Sequence, residues 1–319
     1  MYEAMENIRN KIFINIEESL IDEVITTPKP GLVDEKDNGA HTDMDKNTFV
    51  RSARAIAPYI AEMFLCGYHW RKEPEGLFPA IKNIGMEAEK AMFQVTQGVN
   101  THKGAIFTMG IIAAASGYDL SVNCETFRKK EQHVFSILSI SEKMMKEPMK
   151  DIFESMKDKV PKTHGEKLFA KYGEKGIRGE AEHGFPIIKD VAFPALQSHM
   201  ERYHDLMYIK NLKKDEIQNK ININVLLQIM ANLSDTCVLS RSNYNGLAWV
   251  QKKAKMIYEL GGAFTKEGIE AIKQWNEECI HANISPGGAA DILAVTLLLW
   301  RITENEFLEL ILADKKNKE

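Results

Sequence analysis

Cysteine is scarce in this 319-residue chain. Cys66, Cys124, Cys237 and Cys279 stand far apart with no C-x-x-C pair, which argues against a disulfide framework and a thiolate zinc site and fits a reducing compartment. Net charge is small as well, with 41 basic against 45 acidic side chains giving -4. Nothing in that balance favours a nucleic-acid partner, although a local basic patch can still hold a phosphorylated small molecule. The opening residues MYEAMENIRN carry charge where a signal peptide carries an apolar run, and no apolar run reads as long enough to span a bilayer. Runs of period-two, β-branched residues are missing too. A cytoplasmic protein without strands, with no membrane or nucleic-acid role, is the expectation.

What is present is helical periodicity in a chain of 44% hydrophobic residues, enough to build a core without staples. Met5, Ile8, Ile12, Ile16 and Leu20 recur at three and four, and Phe49, Ala53, Ile56, Ile60 and Phe64 repeat the pattern around Pro58, where a kink or break is expected. Similar faces run over residues 81–95, 101–116, 124–145, 166–172, 196–209, 215–233, 247–260, 266–281 and 286–301, followed by a short terminal helix. The charged stretch 143–162 reads as an exposed connection. The expectation is an all-α fold in one domain, residues 1–319.

Polar, irregular segments interrupt these helices. Residues 26–45, TTPKPGLVDEKDNGAHTDMD, hold Lys29 between two prolines in an extended segment and then offer Asn38, Gly39, His41, Asp43 and Asp45 ahead of a helix. Helix capping and turn formation explain such a cluster about as well as an active site does. In GVNTHKGAIF, Asn100, Thr101, His102, Lys103 and Gly104 precede an apolar helix, an outline that suits an anion at free backbone N–H groups; an Asn or Thr cap with a snorkelling lysine is the plainer account. In SPGGAAD, Ser285 reads as an N-cap and Pro286 as the first helical residue, with Gly287 and Gly288 leaving the helix start bare; Asp291 lies inside the apolar helix and needs a cation or a metal. GIRGEAEHGFP places Arg178, Glu180 and Glu182 among glycines, where Arg178 suits a phosphate and Glu180 with Glu87 could supply oxygen to Mg²⁺. Asp235 and Arg241 form either a helix-end pair or part of a polar pocket.

The strings TPKPGLVD, NGAHTDMD, GVNTHKGAIF, THGEKLFAKYG, GIRGEAEHGFP and SPGGAADILA, taken in order and spacing, resemble the triphosphoribosyl-dephospho-CoA synthase family over residues 26–299. The resemblance implies an all-helical pentosyltransferase that joins ATP to 3′-dephospho-CoA and releases adenine. Its product is the prosthetic-group precursor of citrate lyase or malonate decarboxylase acyl-carrier subunits, and a separate transferase attaches the group to the carrier. LSDTCVLSRSN keeps Asp235, Thr236 and Arg241 but has Ser242 and Asn243 where two glycines usually follow the arginine.

Under that reading Lys29, Lys103 and Arg178 clamp the triphosphate, with Asn100, Thr101, His102, Gly104, Ser285, Gly287 and Gly288 completing the nucleotide site. Mg²⁺ sits on Asp43, Glu87 and Glu180, and His41, Asp43 or Asp235 acts as base or acid. Two alternatives stand beside it. A helical metal-dependent phosphohydrolase would use His204 and Asp205 with His164 and Asp235, and a non-catalytic nucleotide-binding protein would explain the helices alone.

Overall fold

The computed structural model describes residues 2–123, 129–208 and 214–316, with side chains over 4–123, 129–203 and 215–315. Among the described residues there is no strand, and the fold is all-α. The chain runs through α1 (Tyr2–Ile25), α2 (Lys46–His69), α3 (Leu77–Val95), α4 (Lys103–Asn123) and α5 (Lys130–Lys157). It continues with α6 (His164–Tyr172), α7 (Gly176–Glu182), α8 (Phe193–Tyr208), α9 (Lys214–Asn232) and α10 (Thr236–Arg241). The last four are α11 (Tyr244–Glu259), α12 (Lys266–His281), α13 (Gly287–Ile302) and α14 (Asn305–Lys316). Cys124 lies outside the described residues.

The periodic stripes become buried faces. Ile8, Ile12, Ile16 and Leu20 of α1 lose all exposure, each worth roughly 1.5–3 kcal/mol of transfer free energy, and they belong to a contiguous core that reaches Phe307 and Ile311 of α14. At the centre α4 packs on α2, with α1 and α3 flanking α2, while α13 touches α1, α4 and α9. The α2–α4 contact is a backbone approach: a Cβ on Gly67 would collide with the Ala114 carbonyl, and one on Gly117 with that of Phe64. Larger residues there would force the two central helices apart.

Four sequence expectations are corrected. First, α2 runs unbroken through Pro58, because Pro58 and Arg54 lie on its exposed face, where water can serve the carbonyl that loses its N–H partner. Second, α5 absorbs most of the supposed connection: Met144, Met145, Met149, Phe153 and Met156 are buried along it. Third, the glycine-rich stretch and LSDTCVLSRSN each contain a short helix, α7 and α10. Fourth, α4 is long and apolar enough to cross a membrane by length and composition, yet 78% of its most apolar window is buried inside the protein. It is apolar all round because neighbouring helices cover it.

Candidate active site at the facing starts of α4, α10 and α13

The opening loop is organised by Asp34. One carboxylate oxygen takes the Lys29 N–H and the Thr27 hydroxyl, each at 2.9 Å, and the other takes the N–H groups of Lys36 and Asp37 at 2.7 and 3.1 Å. Gly31 has a φ of +71° and presses on the Ile284 carbonyl, a position that only glycine fills without strain. This clamp turns Lys29 inward, not outward. Its ammonium is 1% exposed and meets the Glu23 carboxylate of α1 and, at 2.6 Å, the Glu23 carbonyl. The expected triphosphate contact at Lys29 is therefore replaced by a buried ion pair, since its charge is already satisfied within the protein.

Asp235 is a clip between helices. One carboxylate oxygen takes the Cys237 N–H at 2.8 Å at the start of α10, and the other takes the Ala289 N–H at 2.9 Å at the start of α13. Burial raises its pKa despite these backbone donors and that of Gly288. With both oxygens engaged, Asp235 is placed to hold α10 against α13 and is not free to act as a base. This also accounts for Ser285, which does not cap α13: Asp235 serves that helix start from outside, and the Ser285 hydroxyl turns to His41 at 2.9 Å.

His41 bridges the loop to this corner. A guanidinium can only donate, so the Arg241 contact to His41 Nδ1 at 3.3 Å fixes Nδ1 as acceptor and leaves Nε2–H to donate to Ser285. Burial, and then the Arg241 charge, lower the His41 pKa against the opposing pull of Asp43, whose carboxylate lies 3.7 Å from Nδ1. Arg241 also donates to the Ala40 carbonyl at 3.1 Å and to Asn283 at 3.0 Å, and among the described residues no carboxylate lies within ion-pair distance of it. Asn243 takes the N–H groups of Asn245 and Gly246 and caps α11.

At the start of α4, Asn100 takes the Lys103 N–H at 3.2 Å, and Thr101 donates to the Ser52 hydroxyl. His102 is buried between Ser52, at 2.7 Å from Nδ1, and the edge of Phe49. Burial, with the Lys29 charge as a lesser cause, lowers its pKa to about 3. His102 is thus part of the packing and not open to a nucleotide. Lys103 is half-exposed and pairs with Glu89 at 2.8 Å. Gly104 lies directly against Asp291 of α13, whose Oδ2 a Cβ there would strike. Asp291 also receives the Ala105 N–H, so its carboxylate sits on the positive end of α4.

The glycine-rich stretch reaches the same corner, because Gly176 at the start of α7 packs on Thr236 and Glu174 bonds Ser234. Arg178 contacts Met156 Sδ at 3.6 Å and, among the described residues, has no carboxylate within ion-pair distance. The predicted metal set does not assemble. Glu87 is exposed on α3 and paired with Lys90, Glu180 takes the Ile187 N–H at 2.9 Å, and Asp43 lies exposed beside His41. Among the described residues no three His, Cys, Asp or Glu side chains stand together as a metal site. His164 is exposed at the start of α6, and the side chains of His204 and Asp205 lie outside the described residues.

The resulting cleft has Lys103, Gly104, Gly287, Gly288, Arg241, His41 and Asp291 on its partly open side, with Asp235, His102 and Ser285 buried behind, while Arg178 of α7 lies against Met156 of α5. Sequence reasoning expected a cation or metal at Asp291 and left Arg241 between a helix-end pair and a polar pocket; the structure gives Asp291 the start of α4 and sets Arg241 against His41.

The model of the CitG family, ATP:dephospho-CoA triphosphoribosyl transferase, matches residues 10–308. A probable 2-(5''-triphosphoribosyl)-3'-dephosphocoenzyme-A synthase of Vibrio cholerae is 36% identical over 283 residues, covering 88% of this chain and 85% of that protein. The Klebsiella pneumoniae synthase of the same name is 36% identical over 287 residues, 89% of this chain and 88% of its own. Protein CitXG of Leuconostoc mesenteroides is 34% identical over 292 residues, 88% of this chain and 56% of its own. No solved structure matches. On these matches, which span the loops that build the cleft, the chain belongs to the ATP:dephospho-CoA triphosphoribosyl transferase family.

Proposed function

We infer that this chain transfers the triphosphoribosyl group of ATP to the 2′-hydroxyl of 3′-dephospho-CoA and releases adenine. The observation that carries the reading is the pair of cations at these helix starts: among the described residues Arg241 has no carboxylate within ion-pair distance, and Lys103 stands half-exposed at the start of α4. A chain of three phosphates needs such a surround, and carbon-centred displacement at C1 of the ribose needs little beyond positioning and charge control.

Magnesium belongs to this reading as the companion of the triphosphate, whose charge it offsets. It is commonly held by substrate phosphates with one or two carboxylates, so no three-carboxylate cage is required, and the exposed Asp43 fits such a single contact. The product serves as prosthetic-group precursor for a citrate lyase or malonate decarboxylase carrier, attached by a separate transferase. We read the chain as a single domain working in the cytoplasm, where its unpaired Cys66, Cys237 and Cys279 fit a reducing milieu.

Chromatography of a reaction containing ATP, Mg²⁺ and dephospho-CoA tests the reading: adenine is expected only when the acceptor is present, and full-length CoA is expected to be a poor acceptor. Adenine formed without acceptor, or none with it, contradicts it. Lys103→Ala should raise KM for ATP by about tenfold or more, as loss of a charge-assisted contact implies. Its folding stability should stay within about 1 kcal/mol, because only a surface pair is lost. An unchanged KM would return Lys103 to a purely structural pair with Glu89.

A further inference from the structure

The mechanism so far gives no role to Asp291. Its neighbours in α13, Ile292, Leu293, Ala294 and Val295, are buried apolar residues, whereas its own side chain keeps partial exposure. Among the described residues no side chain forms an ion pair with it. Its carboxylate receives the Ala105 N–H, and Oδ2 rests on Gly104. The charged groups around it are Glu23 of α1, with Lys29 held on Glu23, Asp235 ahead of α10, and Lys103 at the start of α4; the neutral His102 and the buried thiol of Cys237 complete the surround. Of the two ammoniums, Lys29 is committed to Glu23 and Lys103 to Glu89, so neither offsets the repulsion of Glu23 and Asp235 through an ion pair with Asp291.

We propose that Asp291 is the catalytic acid of the transfer, holding its proton in the cleft beside Gly104 and donating it to a ring nitrogen of the departing adenine. Burial, with Glu23 and Asp235 adding repulsion, pushes its pKa well above the usual carboxylate range, which favours the protonated form. The step balances without a further reactant. The acceptor 2′-oxygen forms a bond to C1 of the ribose, the C1–N9 bond breaks with its electron pair leaving on adenine, and the Asp291 proton neutralises the purine. The proton lost by the 2′-hydroxyl restores the acid by way of solvent, so one proton passes from hydroxyl to adenine overall.

This inference rests on the transferase reading, and the competing account is that Asp291 only caps α4 through Ala105. Asp291→Asn separates the two, because the amide oxygen keeps the cap but the side chain has no proton of suitable acidity to give. With ATP and dephospho-CoA its kcat should fall at least about a hundredfold, within the range for loss of general acid catalysis. With 7-methyl-ATP, whose purine leaves neutral without taking a proton, the fall should be under about tenfold, and that turnover also shows the variant to be folded. Equal losses on both nucleotides, or no loss on ATP, would overturn the proposal. Wild-type enzyme that releases neither purine in the presence of dephospho-CoA would overturn the transferase reading itself, a result distinct from either.

Discussion

Lys29→Met should destabilise the protein by about 3–5 kcal/mol, because it leaves the Glu23 carboxylate buried without its cation. Denaturant titration reads this as a lower midpoint at unchanged slope. The size of the effect comes from the charge left behind more than from the contact removed. A Lys29→Met, Glu23→Leu double variant, which removes both charges, should therefore recover much of the loss. If Lys29 instead held a phosphate, the midpoint would stay in place and KM for ATP would rise.

Acid should unfold the protein earlier than its carboxylates alone demand. His102 titrates near 6.5 when unfolded and at about 3 in the fold. Between these values the unfolded chain binds one more proton than the native one. Stability contributed by keeping this ring neutral is thus fully present above pH 6.5 and is lost as pH falls, by about 1.4 kcal/mol per pH unit once well below 6.5. His41 and His199, both lowered mainly by burial, add in the same direction. His102→Gln should remove close to one proton from the slope of stability against pH between about 6 and 4.5. An unaltered slope would mean that the ring is not held neutral by burial.

The parts of the fold that a sequence can carry are those repeated along one element. The Ile8, Ile12, Ile16 and Leu20 stripe is such a part, and its burial was readable from spacing alone. Helices α7 and α10 were not, because seven and six residues give no period to read and the carboxylate that fixes the start of α10 also serves α13, far along the chain. The loops that build the cleft were legible as polar breaks, and three of them meet at Asp235, Asp291 and His41. The destinations of their side chains were not legible. Lys29 and His102 look available in a string of polar residues, yet each is buried by a partner on another helix, Glu23 on α1 and Ser52 on α2. Glu87 and Glu180 share a charge type with Asp43 but sit on α3 and α7 with partners of their own, so residue type alone could not make them a metal set.

The central claim is that the reaction occurs at carbon and leaves the triphosphate whole. ATP labelled with ¹³C in the ribose and ¹⁸O in the γ-phosphate, incubated with Mg²⁺, dephospho-CoA and the protein, tests it by mass spectrometry. The account predicts unlabelled free adenine, together with a dephospho-CoA adduct that carries the labelled ribose and all three phosphates. Labelled phosphate or pyrophosphate released while adenine stays on the ribose would contradict it.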